Sequence, residues 1–156
     1  MPDEKILIIG LGNPILGDDG AGWRVVEGLK EALPPGRTAL ETDCLSLGGL
    51  SLMERLQGCE RAILVDVMET GRLPPGTVSV FRLADLPDPR AGHSSSAHDT
   101  SLMTALETGR RMGLQLPESI TVVAIEAATV SDFSEQLSPP VAAAIPAAIR
   151  AVLNLI

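Results

Sequence analysis

The sequence predicts an α/β protein: a three-layer α/β/α sandwich around a mostly parallel, twisted sheet. Three observations carry that expectation. Lys5–Gly10, Arg61–Asp66 and Ile120–Ile125 are short, nearly unbroken apolar runs, the pattern of strands buried on both faces. Between them, apolar residues recur at three- and four-residue spacing, the period of a helix buried along one side. Strands that alternate with helices in this way close into a parallel sheet.

Each element follows in order. Lys5–Gly10 is the first strand, and the Gly-rich stretch Gly10–Gly22 leaves it. Val25, Leu29, Ala32 and Leu33 then fall at helical spacing, opposite Arg24, Glu27, Lys30 and Glu31, until Pro34-Pro35-Gly36 stops the helix. Thr38–Thr42 is a weaker strand and Leu50–Leu56 a short helix. Arg61–Asp66 is a buried strand that ends on a carboxylate. Thr77–Phe81 alternates, as an edge strand with one wet face does. A polar loop, roughly 84–97, leads to a helix with Leu102, Ala105, Leu106 and Gly109 on one face. After the strand Ile120–Ile125, Ser138 reads as an N-cap with Pro139 and Pro140 in the first helical turn. Val141, Ala144, Ile145, Ala148 and Val152 stripe that helix, and Pro146 within it is expected to kink or break it. The order is β-α-β-α-β-β-α-β-α, with no internal repeat and no dividing linker, so residues 1–156 read as one domain.

Composition narrows the function. Apolar residues make up 45% of the chain, enough for a core without disulfide or metal staples. No apolar run spans a membrane and no secretory signal is recognisable, so the expected location is cytoplasmic, without membrane insertion. A net charge of −8 argues against nucleic acid or an anionic membrane as main partner. Aromatics are 2% and Tyr is absent, which removes base-stacking platforms and a catalytic phenol. Cys44 and Cys59 have no metal-ligand spacing and read as buried thiols.

In open parallel sheets, function gathers beyond the carboxyl ends of the strands. Three places meet that rule: the loop Gly10-Leu-Gly-Asn-Pro-Ile-Leu-Gly-Asp18-Asp19-Gly-Ala-Gly22, Asp66, and His98 before a helix. Two carboxylates and an imidazole suit a divalent transition metal with open positions, in the manner of nickel or zinc. Such a metal polarises a carbonyl or acidifies a bound water. Blander roles exist: Asp18 or Asp19 as helix caps, Asp66 as a turn cap, His98 as a solvated residue, the glycines as turn formers. Other chemistries fit less well. Ile15 stands where a dinucleotide fingerprint needs its third Gly, and no phosphate loop or nucleophile elbow is present. Ser94–Ser96 beside His93 and His98, or Cys44 with His98, leave weak hydrolase options.

These residues resemble the hydrogenase maturation proteases. The loop Gly10–Gly22 is similar to that family's opening motif, Leu64-Val-Asp66 to its second element and Ser96-Ala-His98 to its third. Ile120–Glu126 and Leu137-Ser138 resemble its C-terminal section. The resemblance implies a phosphorylase/hydrolase-like α/β/α fold. It implies an endopeptidase that removes the C-terminal extension of a nickel–iron hydrogenase large-subunit precursor after nickel insertion. It also implies nickel ligands at Asp19, Asp66 and His98, the nickel being supplied by the precursor. Asp19 and Asp66 are the expected catalytic acids. Gly12, Asn13, Asp18, Gly20 and Gly22 support the loop. Some members carry Glu where Asp19 stands, and many carry Asp-Gly-Gly-Thr where this chain has Asp43-Cys44-Leu45-Ser46. The family is classed as aspartic-type by some and as metallopeptidase by others. Two rivals share features with it. Peptidyl-tRNA hydrolases also open with Gly-Leu-Gly-Asn-Pro, but they continue differently and need a basic face. A non-catalytic nickel-binding assembly chaperone would use the same three ligands without cutting.

Overall fold

The computed structural model describes residues 4–36, 39–46, 48–85, 97–128 and 133–156, with the backbone alone for 97–101. Five strands form one sheet in the order β2-β1-β3-β5-β4. They are β1 (Ile6–Leu11), β2 (Leu40–Leu45), β3 (Arg61–Met68), β4 (Val78–Arg82) and β5 (Ser119–Glu126). The pairs β1–β2, β1–β3 and β3–β5 are parallel, and the edge strand β4 runs antiparallel to β5. The helices are α1 (Ala21–Ala32), α2 (Gly49–Leu56), α3 (Ala97–Arg111) and α4 (Pro139–Leu153).

Two cores follow from the alternation of side chains along the strands. Ile8, Ile63, Val65, Val123 and Ile125 pack against α1 and α4 on one face. Leu7, Ile9, Leu64, Val122 and Ala124 pack against α2 and α3 on the other. Asp66 is two residues after Leu64, so its side chain belongs to the α2/α3 face. The three layers and the mostly parallel sheet agree with the sequence expectation.

The differences are local and have physical causes. The second strand starts at Leu40 and runs to Leu45, further along than Thr38–Thr42, because it pairs with all of β1 from Ile6 to Leu11. The third strand does not end on Asp66. It continues to Met68, because pairing with β5 continues through Met68 and Glu126 after β1 has stopped pairing at Gly10 and Val65. The last helix is not broken by Pro146, for α4 runs on to Leu153. Pro146 and Ala142, whose carbonyl lost its helical donor, are both exposed, so that turn of the helix faces solvent. Ser138 occupies the N-cap position, but its hydroxyl does not cap the helix. Among the described residues, no helix is long and apolar enough to cross a membrane.

Candidate functional site

From β1 the chain turns to β2 on one side, then returns to place β3 on the other side of β1. The β1–β3 boundary is therefore a topological switch point, where connections leave to opposite faces and open a crevice beyond the strand ends. Pairing across that boundary ends at Gly10 and Val65, and Asp66 is the next residue. Asp66 is 1% exposed, and its Oδ1 accepts the Val67 amide at 2.8 Å.

The acidic loop lies over the same boundary. After Gly12 the chain forms a 3-10 turn over Gly17–Gly20 and passes directly into α1. This turn contacts β3. Asn13 sets its shape: its Oδ1 accepts the Ile15 amide, its carbonyl accepts the Leu16 amide, and its own amide donates to Asp19 Oδ2 at 2.8 Å. Gly12 has φ +136, and a Cβ there would lie 1.9 Å from the Asp19 carbonyl oxygen. No other residue fits that position. Gly22, in the first turn of α1, lies against the carbonyl oxygens of Val65 and Leu11. This close approach brings the helix start, and the half-buried Asp19 just before it, down onto the strand ends.

Asp18 has a different task. It is fully buried and accepts the Ala128 amide at 2.9 Å, the Ser138 amide at 2.7 Å and the Ser138 hydroxyl at 2.8 Å. It ties the β1–α1 loop to the segment between β5 and α4. It also accounts for the uncapped α4: Pro139 and Pro140 present no amide, and the Ser138 hydroxyl donates to Asp18 rather than facing the remaining amide of Val141. A second tie runs beside it, since Ser134 donates to the Ile15 carbonyl and Gly17 donates to the Ser134 carbonyl. Exposed Ile15 and Phe133 flank this tie at the rim.

The third ligand candidate, His98, is the second residue of α3 rather than a residue before it. The helix leads by a short connection from Arg111 to Ser119, the entry of β5, so α3 runs against the parallel strands. Its first turn therefore sits at the carboxyl edge, on the face to which Asp66 belongs. The imidazole of His98, and all of His93 and the Ser94–Ser96 run, lie outside the described residues. Among the described side chains, no three His, Cys, Asp or Glu form a metal cage.

Sequence reasoning missed Glu126. It is 3% exposed, ends β5 and accepts the amide and hydroxyl of Thr70. The signal was present: like Asp66, it closes an apolar strand run. Glu126 lines a pocket of about 270 Å³ with Met68, Thr70, Leu73, Phe81 and Ala124. Ala124 is the register partner of Asp66, so this pocket opens beside it. The Cys44 thiol, by contrast, is pushed up by burial, which opposes the thiolate that a cysteine nucleophile requires.

Comparison with known proteins identifies the family. The family model described as hydrogenase maturation protease matches residues 24–155. A putative hydrogenase maturation protease of Methanocaldococcus jannaschii is 30% identical over 99% of this chain and 97% of its own. The hydrogenase expression/formation protein HupD of Rhizobium leguminosarum bv. viciae is 30% identical over 99% of this chain and 75% of its own. Among solved structures, the hydrogenase maturating endopeptidase HybD from E. coli superposes with a TM-score of 0.76 at 28% identity, covering 97% of this chain and 91% of that one. By sequence match and by fold, this chain belongs to the hydrogenase maturation protease family.

Proposed function

We propose that this chain is the endopeptidase that removes the C-terminal extension of a nickel–iron hydrogenase large-subunit precursor after nickel has been inserted. The observation that carries the reading is the shared edge. The turn bearing Asp19 contacts β3, the strand bearing Asp66, beyond the β1–β3 switch point, and α3, whose first turn bears His98, packs on the sheet face to which Asp66 belongs.

The nickel arrives as part of the substrate. The donor set fits it: two carboxylates from this chain, with one imidazole as the third ligand. When bound, the ion supplies a Lewis acid at the scissile carbonyl. Asp19 and Asp66 hold the loaded precursor in register and keep a carboxylate beside the bond to be cut. One of them takes a proton from the attacking water as its oxygen adds to the carbonyl carbon. The same proton passes to the departing amine as the C–N bond breaks. Without the ion, two acids face the precursor with nothing to bind, and this makes trimming conditional on loading.

Mass spectrometry of a nickel-loaded precursor, with and without this protein, tests the reading. A mass drop equal to the C-terminal tail is expected. A stable complex without cleavage would instead identify a chaperone. His98→Ala should abolish trimming and leave the fold intact by circular dichroism. Trimming at the normal rate in that variant would overturn the ligand assignment.

A further inference from the structure

At the opposite end of the sheet lies a pocket of about 340 Å³, lined in part by Arg82, Met103, Leu106, Arg110, Glu118 and Ile120. Ile120 pairs with Ala62, four residues before Asp66 on β3, so the pocket lies about 13 Å down the sheet from the acids. It is separate from the carboxylate edge.

Its charge is unusual for this chain. Among the described residues, Arg24 is engaged with the Glu135 carbonyl, Arg55 with Glu41 and Asp43, Arg61 with Glu4 and Arg111 with Glu107, whereas exposed Arg150 on α4 has no ion pair or side-chain hydrogen bond. Among the described residues, Arg82 and Arg110 have no ion pair or side-chain hydrogen bond, and both line this one pocket. Leu106 and Ile120, each nearly fully buried, give it apolar walls. Two guanidinium groups against one carboxylate leave a single net positive charge, which matches a monoanion and disfavours a dianionic phosphate.

We infer that this pocket binds a carboxylate carried on an apolar body, with Arg82 and Arg110 as its partners and Leu106, Ile120 and Met103 around the hydrocarbon. A free aliphatic acid and the terminal carboxylate of a polypeptide with an apolar last residue share that chemistry.

Titration calorimetry with decanoate tests the assignment on the full chain. Decanoate should bind at millimolar concentration or below, whereas decanol and inorganic phosphate should not. Arg82→Gln and Arg110→Gln should each weaken decanoate by about tenfold or more, the loss of one charge-assisted partner, and Glu118→Gln should tighten it. Both arginines are exposed, so these variants should keep the wild-type urea midpoint and normal precursor trimming. A short peptide ending in a free leucine carboxylate, compared with its C-terminal amide, identifies the source. Binding of the free-acid peptide alone points to a protein tail, and binding of decanoate without either peptide points to a free acid. Equal binding of decanol and decanoate, equal binding of acid and amide peptides, or decanoate affinity unchanged in both arginine variants would overturn the proposal.

Discussion

Gly22→Ala tests the packing that brings the acidic loop to the sheet. A Cβ at position 22 would lie 2.4 Å from the Val65 carbonyl oxygen, 2.6 Å from the Leu11 carbonyl oxygen and 3.1 Å from the Leu11 nitrogen. A comfortable carbon–oxygen contact is about 3.3 Å, so the start of α1 must withdraw by roughly 0.9 Å. Two effects compete. Alanine improves helix propensity over glycine by about 1 kcal/mol. Overpacking costs about 1–3 kcal/mol, and here it falls at the upper end because backbone on both sides must yield. The expected net loss is about 1–2 kcal/mol, a fall in Tm of roughly 3–8 °C for a chain of this size. Trimming should slow as well, since Asp19 is three residues upstream of Gly22 and two upstream of the displaced helix. Gly28→Ala is the control. Its Cβ would meet only the side chain of Ile149, whose tip can rotate away, so the propensity gain should leave stability unchanged or raised. Thermal and urea unfolding of both variants decide the matter. A Gly22→Ala protein stabilised as much as Gly28→Ala would show that α1 does not seat on the strand ends in this way.

Three further changes have distinct signatures. Asp18→Asn keeps the size of the side chain but gives up one of the two oxygens of a fully buried carboxylate that accept three donors; a loss of about 2–4 kcal/mol is expected in urea unfolding, and a midpoint shift no larger than that of Glu107→Gln on the surface would contradict the clamp. Pro146→Ala should stabilise α4 by about 1–2 kcal/mol, since it restores an exposed helical hydrogen bond; destabilisation would mean the proline ring has a packing role. Burial holds the Cys59 thiol above its ordinary value of 9.0, so the folded state keeps its proton longer than the unfolded chain. The resulting stability is complete below pH 9.0 and is lost as pH rises past it. Cys59→Ala should therefore flatten the alkaline limb of a stability–pH curve, and an unchanged limb would count against this.

What could be read in the sequence was whatever is encoded within about a dozen residues. The apolar runs at Ile6–Ile9, Ala62–Val65 and Val122–Ile125 can be satisfied only by central strands, and the helical spacing of Val25 and Leu29 fixes which side of α1 is buried. The acidic loop and Asp66 stood out for the same local reason: polar groups directly after strands meant to be buried. Illegible were the choices made by distant partners. Nothing near Ser138 says that its hydroxyl will prefer Asp18 to its own helix, and nothing near Arg61–Asp66 says that pairing with β5 will carry the strand on to Met68. Glu126 was overlooked as a site residue although it closes the run Ile120–Glu126, because its partner Thr70 lies 56 residues away in the chain. Pro146 does not end α4, since the apolar stripe on either side of it holds the helix to the sheet.

The tether at Asp18 also governs timing. Its partners lie 110 and 120 residues later in the chain, so the first loop to leave the ribosome waits for nearly the last. At translation rates of about 5–20 residues per second, that interval is roughly 6–24 seconds. Throughout it, the acid that becomes the fully enclosed Asp18 lacks its Ala128 and Ser138 donors, and the neighbouring turn lacks its tie to Ser134. A half-made chain is therefore an incompetent one, and the protein acquires its cutting edge only with the arrival of the last helix.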